Sequence, residues 1–278
     1  MRLLGAGDNV VDRYLDTGVM YPGGNAVNVA VYARRCGAES SYWGRVGTDR
    51  AGDVVLTALR AEQVDVSGVR RVTGANAHAD VVVVDGDRIF KDSDDGVSDF
   101  ELSDADYTRL GDFDVVHTAY SGSLIEAVPR MAGHTRVSFD FSNRYDEPYV
   151  ARLLPHLYLA AHSGSDLDDE QVGALLADGL RRGARHVLVT RGGAGARLAT
   201  AAGEFRQPSV ATDVVDTMGA GDAFIAGLLT GLLTGDSPTA ALTRAARTAA
   251  GACAVSGAFG HPAPIPAPLL PHPQGERS

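Results

Sequence analysis

The apolar positions of this chain fall into two rhythms that alternate along its length. Residues 2 to 7 form a short apolar run ending in glycine, followed by polar residues and then by an alternating stretch from Arg13 to Val19. Gly23 and Gly24 precede a long run of small and apolar residues, Ala26 to Cys36, which closes at Gly37 in the way helices end. Ser40 to Val46 reads as a strand and Ala51 to Ala61 as a helix. A different texture comes next. Ala77 to Val84 and Arg88 to Lys91 are rich in β-formers and flank Asp85-Gly86-Asp87, an Asp-Gly hairpin signal. Together with Arg13 to Val19 they predict a small separate sheet.

From Asp114 the alternation resumes. Strands are predicted at Val115 to Thr118, Val137 to Phe141, Leu157 to Ala161 and Val187 to Thr190, and helices around Ser103 to Leu110, Asp168 to Arg182 and Gly221 to Thr234. A last helix starts at Ser237, with Pro238 in its first turn, and runs to Val255. Repeated strand–helix units imply a mostly parallel sheet covered on both faces, an α/β fold. Beyond residue 260, Pro262, Pro264, Pro266, Pro268, Pro271 and Pro273 among few apolar residues predict an extended or disordered tail over 261–278.

Composition narrows the function. With 278 residues, 45% hydrophobic and 22% charged, the chain can bury one large core. A net charge of -10 and a pI near 5.2 argue against a nucleic-acid partner, whose affinity is built from clustered cations. Lys91 is the sole lysine, so phosphate chemistry has to rest on arginine, backbone N–H groups or metal. A P-loop needs Gly-Lys-Ser/Thr and a protein kinase needs its strand lysine; Phe90-Lys91-Asp92 fits neither, which excludes both classes. Cys36 and Cys253 lie far apart and read as small buried side chains. The start Met1-Arg2-Leu3-Leu4-Gly5 leaves no room for the apolar region of a signal peptide, and no run approaches a membrane span. The compartment expected is the cytoplasm.

Three glycine-bearing segments carry candidate chemistry. Asp216-Thr217-Met218-Gly219-Ala220-Gly221-Asp222 opens an apolar helix, where unpaired N–H groups and the helix dipole attract an anion. Glycines let a phosphate approach the backbone, and Asp222 in the first turn is placed to accept a proton from an attacking hydroxyl. The bland reading is a turn with an ordinary first-turn acid. Gly23-Gly24-Asn25-Ala26-Val27-Asn28 lets a polyhydroxyl ligand touch the main chain, with Asn28 offering donor and acceptor, or else is a helix capped by Asn25. Val189-Thr190-Arg191-Gly192-Gly193-Ala194-Gly195 runs from a strand end into a loop, where open α/β sheets bind nucleotides. A dehydrogenase is the weaker rival, because after Gly5-Ala6-Gly7 the third fingerprint glycine is replaced by Val10.

Together these segments resemble the ribokinase-like, or PfkB, carbohydrate kinases, over nearly the whole chain up to about Gly260. Asp216 to Asp222 resembles the family's C-terminal signature, Gly23 to Asn28 the N-terminal one, and Gly44-Arg45-Val46-Gly47-Thr48-Asp49 a third familiar stretch. The resemblance implies a three-layer α/β/α domain over 1–260, with a lid from about 13–20 and 75–100. It implies ATP and Mg²⁺ as cofactors, Asp222 as general base, and Gly219, Ala220 and Gly221 as anion hole. Asp8, Asp12, Gly23, Gly24 and Asn28 would bind sugar, with Arg88 and Asp92 from the lid. Thr190, Gly192, Gly195, Thr217, Ala249 and Cys253 would line the ATP site. Where the family carries Asn-x-x-Glu, this chain has His162-Ser163-Gly164-Ser165-Asp166, so Asp166 is the candidate for the metal-linked acid. Within the family the likeness runs to fructoselysine 6-kinases, through Gly7 to Asp12, Arg88-Ile89-Phe90 and Phe139-Asp140-Phe141-Ser142 among others. A fructokinase or nucleoside kinase, or a non-catalytic sensor of ATP or sugar, stands as the alternative. Activation by a monovalent cation and a homodimer joined through the lid are left open. His117 reads as a strand histidine satisfied by the core.

Overall fold

The chain is described by a computed structural model covering residues 1–84 and 87–267, with the backbone alone for 83–84 and 87–90. The strands are β1 (Arg2–Ala6), β2 (Val10–Tyr14), β3 (Val19–Gly23), β4 (Glu39–Trp43), β5 (Arg45–Gly47), β6 (Arg70–Val72), β7 (His78–Val84), β8 (Asp87–Asp94), β9 (Val115–Ala119), β10 (Arg136–Asp140), β11 (Leu159–Ser163), β12 (His186–Thr190), β13 (Ala196–Thr200), β14 (Gly203–Gln207) and β15 (Ala263–Pro264). The helices are α1 (Asn25–Arg35), α2 (Arg50–Ala61), α3 (Asp104–Leu110), α4 (Val128–Met131), α5 (Pro148–Leu153), α6 (Asp169–Arg181), α7 (Ala220–Thr234) and α8 (Pro238–Cys253).

The main sheet runs β14-β13-β12-β11-β10-β9-β1-β4, parallel from β12 to β4 and antiparallel at the β13–β14 edge. Its strands read as continuous apolar runs because both faces are covered. Leu3, Val115, Leu159 and Leu188 point into the core shared with α1, α2, α7 and α8. Their neighbours Leu4, Val116, Ala160 and Val187 point into the opposite core with α3, α4, α5 and α6. The expected three-layer α/β/α arrangement is therefore present. Among the described residues no helix is long and apolar enough to cross a membrane.

A second sheet, ordered β15-β3-β2-β7-β8, lies beside the first. The stretch Arg13 to Val19, expected as one strand, is instead the tip of a hairpin: β2 and β3 pair antiparallel, and residues 15–18 turn between them. Strands β7 and β8 pair antiparallel as the Asp-Gly signal predicts, while the turn residues Asp85 and Gly86 lie outside the described residues. The strand expected over Ser40 to Val46 breaks in two at Gly44, whose backbone sits so near the Tyr42 hydroxyl and the Gly7 carbonyl that a Cβ would come within 2.1 Å and 2.6 Å of them. The segment past residue 260 starts in register with the second sheet. Ala263 and Pro264 pair with β3, the Ile265 N–H donates to the Gly18 carbonyl, and the Ile265 side chain is buried. The rest of the expected tail, 268–278, lies outside the described residues.

Candidate active site

The carboxyl ends of the parallel strands and the N-termini of α1 and α7 meet at one place, where such sheets bind ligands. Helix α7 begins at Gly219, whose φ of 72° lies in the left-handed region, and no side chain caps its first turn. The Ala220 N–H donates back to the Thr217 carbonyl at 3.3 Å, and the helix dipole with the remaining first-turn N–H groups suits an anion. The preceding loop is braced by Asp216, which accepts from the Met218 N–H at 2.8 Å, the Gly257 N–H at 3.0 Å and the Tyr14 hydroxyl of β2 at 2.8 Å.

Asp222 sits in that first turn. Its Oδ1 accepts from the Asn25 amide at 2.8 Å and its Oδ2 from the Asn28 amide at 2.7 Å. Burial, and after it the negative charge of Asp140, push its pKa up to about 8, against the pull of the Asn28 hydrogen bond. A carboxyl titrating near neutrality is matched to proton abstraction from a hydroxyl. Asp140, at the end of β10, is raised by burial to about 6, with hydrogen bonds from the Ser142 N–H and the Asn25 amide opposing. Asp8 accepts from the Asn25 and Ala26 N–H groups and from the Ser121 hydroxyl, supplying the cap that Gly24 cannot give to α1. Burial raises its pKa too. Asp12 is buried beside Gly23, where an added Cβ would lie 2.9 Å from Asp12 Oδ2 and 3.9 Å from Asn28 Oδ1. Asn28 Oδ1 itself is buried and finds no hydrogen-bond partner, an acceptor ready for a ligand hydroxyl. Four carboxylates and two amides thus converge beside the N-terminus of α7.

Adjoining them is a cavity of about 610 Å³. Thr190, Gly192, Gly195, Thr217, Ala249 and Cys253 line it, as do Ala220 and Gly221 at the start of α7 and Asp140 beside the acidic cluster. Around Gly192, Gly193 and Gly221 an added Cβ would meet nothing within 4 Å, so the walls stay open to a ligand. His162 also lines the cavity, stacked on Phe141 with centroids 4.9 Å apart, its Nδ1 buried without a partner and its pKa lowered by burial to about 4. Asp166, the expected metal-linked acid, is exposed and accepts from the Tyr145 hydroxyl at 3.1 Å. Among the described residues no group of three or more His, Cys, Asp or Glu is arranged to hold a metal ion.

The residues expected from a lid are the ones not drawn in. Asp92 is exposed on β8 opposite Asp80, its carboxylate taken by the Ser93 N–H at 3.0 Å. The Arg88 side chain lies outside the described residues. Asn25, Asp140 and His117 are the residues that sequence reading passed over as site members. The signal of Asp140 and Asn25 was a polar residue at the C-terminal end of a strand or in the first turn of a helix, on the side of the sheet that binds ligands, and that of His117 was a histidine in the middle of a strand.

Comparison with known proteins agrees with this geometry. Residues 4–265 match the profile described as pfkB family carbohydrate kinase. The chain is 43% identical over 267 residues to the fructosamine kinase FrlD of Bacillus subtilis, covering 94% of each protein. It is 38% identical over 255 residues to the fructoselysine 6-kinase of Escherichia coli, covering 91% of this chain and 97% of that one. In fold it superposes on the Arabidopsis thaliana ribokinase complexed with ribose and ATP, with a TM-score of 0.80 and 21% identity over 94% of each chain.

Proposed function

Because the chain belongs to the pfkB family of carbohydrate kinases, and is thus an ATP-dependent carbohydrate kinase, we propose that its acceptor is a fructosamine of the fructoselysine kind, phosphorylated at the 6-hydroxyl. Two observations support the reading. The reaction rests on Asp222, a half-buried carboxyl held by two amides at the uncapped N-terminus of α7 beside a nucleotide-sized cavity. The acceptor rests on the 43% identity to a fructosamine kinase across nearly the full length of both proteins.

In the proposed reaction the acceptor hydroxyl lies between Asp12, Asn28 and Asp222, in line with the γ-phosphate of ATP. Asp222 takes the hydroxyl proton as the new O–P bond forms and the bond from the γ-phosphorus to the ADP oxygen breaks. Phosphoryl transfer needs mainly positioning and charge stabilisation. The amides of Gly219, Ala220 and Gly221 supply the second, and the 610 Å³ cavity holds the nucleotide. Mg²⁺ would be held mainly by the nucleotide phosphates, whose charge it would neutralise, with the exposed carboxylate of Asp166 as the candidate protein ligand. The second sheet, set over the acidic cluster, would exclude water and so suppress hydrolysis of ATP. Its Asp92 is proposed to meet the ammonium of the amino-acid portion. Such ATP-fed chemistry belongs in the cytoplasm.

ADP release measured on a panel of fructoselysine, other fructosyl amino acids, fructose, ribose and nucleosides tests the proposal. A kcat/KM for fructosyl amines at least tenfold above fructose supports it. Equal values would hand the site to a fructokinase reading, and ATP binding without turnover on any sugar would leave a sensor. The same assay with potassium exchanged for choline reads monovalent-cation dependence, and light scattering reads whether the lids pair.

A further inference from the structure

Asn25 opens α1, yet its side chain caps nothing and reaches instead to α7 and β10. Its Nδ2 donates to Asp222 Oδ1 at 2.8 Å and to Asp140 Oδ2 at 2.9 Å, so both amide hydrogens go to carboxylates on different elements. Its Oδ1 lies 2.7 Å from His117 Nε2. An amide oxygen only accepts, so Nε2 must carry the proton. His117 is fully buried on β9, and burial lowers its pKa to about 3, which keeps the ring neutral. Nδ1 is then an acceptor, and the Ser138 hydroxyl 2.9 Å away on β10 must donate to it. Every bond in the chain from Ser138 through His117 and Asn25 to the two carboxylates therefore has one direction. Turning the amide over would set its oxygen against both carboxylates and its N–H groups against the histidine N–H. Four secondary-structure elements contribute to this chain, and nothing in the packing of the core requires it.

We propose that Asn25 is a positioning residue for phosphoryl transfer, and that His117 and Ser138 form a buried lock that keeps its amide N–H turned toward Asp222. The lock lowers the pH at which the base ionises and keeps it aimed at the acceptor hydroxyl. This rests on Asp222 being the base. The surroundings explain why a lock is needed. The charged groups facing Asp222 are Asp140 on β10, Asp8 after β1 and Asp12 on β2, all of which disfavour a further negative charge, while the Tyr32 phenol on α1, pushed up to about 12, stays neutral. What favours it is the pair of amides from Asn25 and Asn28 and the N-terminus of α7. An amide free to rotate would present its oxygen part of the time and withdraw half of that support.

The test is the pH dependence of kcat/KM for the acceptor at saturating ATP, in the unaltered enzyme and in Asn25→Leu, His117→Phe and Ser138→Ala. Losing a charge-assisted hydrogen bond moves a titration by about one to two pH units. The acid limb is expected to move to higher pH by that amount in Asn25→Leu, and by less in the same direction in the other two, with activity recovering in alkaline solution. Ser138→Ala removes a single hydroxyl and carries the test if the His117 variant does not fold. Activity lowered evenly at every pH, with the limb unmoved, would reduce the three residues to scaffolding and overturn the lock. An unaltered enzyme with no acid limb at all would instead remove Asp222 as the base, a separate failure.

Discussion

Replacing Asp222 by Asn gives the sharpest check on how the site is built, because it moves activity and stability in opposite directions. In the folded chain Asp222 holds its proton up to about pH 8, against an ordinary value of 3.8. Below 3.8 both the folded and unfolded states are protonated. Between 3.8 and about 8 the unfolded chain loses the proton and the folded chain keeps it, so stability falls as pH rises through this window. At about pH 7.5 the loss amounts to roughly 5 kcal/mol, at about 1.4 kcal/mol for each pH unit. Asparagine is neutral and escapes it. Against that gain, the Asn25 and Asn28 amides donate to separate oxygens of Asp222, and an asparagine has one acceptor oxygen to offer. Leaving one buried donor unpaired costs about 1–3 kcal/mol. The variant should therefore be about 2–4 kcal/mol more stable than the parent at pH 7.5 and about 1–3 kcal/mol less stable near pH 4, while turnover falls about 10²–10⁴-fold. Urea unfolding of both proteins across that pH range measures the difference directly. A stability difference that stays constant with pH would refute the idea that burial holds this carboxyl protonated.

Two glycine substitutions separate backbone strain from ligand space. Gly24 has a φ of 106°, and a Cβ there would lie 2.6 Å from Asn9 Cα, so Gly24→Ala should cost at least about 2 kcal/mol by thermal or urea unfolding. Gly221 is helical and a Cβ there meets no protein atom, so Gly221→Ala should melt at or above the parent temperature while its KM for ATP rises about tenfold or more, as the methyl enters the phosphate space. Ending the chain at Gly260 removes β15 and the buried Ile265, and should lower stability by about 2 kcal/mol, seen as a lower urea midpoint.

Much of the fold could be read from the chain because its local signals agree with its packing. The strands from Val115 to Thr190 are centred on apolar residues, as burial on both faces demands, and α7 and α8 carry their glycine, serine and proline start signals where the structure begins them. The β13–β14 hairpin went unread because Ala196–Thr200 and Gly203–Gln207 are built largely from Ala, Arg, Glu and Gln, poor advertisements for a strand, and are stabilised by pairing with β12. Pro264 hid β15 for a similar reason: it tolerates a strand because it lies at the sheet edge. In the site, the glycine loops and Asp222 stand out in the sequence as candidates, with a plain turn as the rival until the family resemblance is added. Asn25, His117 and Asp140 could not, since their meaning comes from α1, β9 and β10 converging at one point, and no local pattern records that convergence.

The bond from the Tyr14 hydroxyl to Asp216 joins residues 202 positions apart, and it ties the hairpin of the second sheet to the loop that begins α7. The same carboxylate grips the amides of Met218 and Gly257, so it works as a knot where three separate pieces of backbone are tied. Through that knot the position of the hairpin is fixed to the position of the loop that opens α7. The second sheet and the start of α7, far apart in the chain, are thereby held in one frame, with a single phenol as the tooth between them.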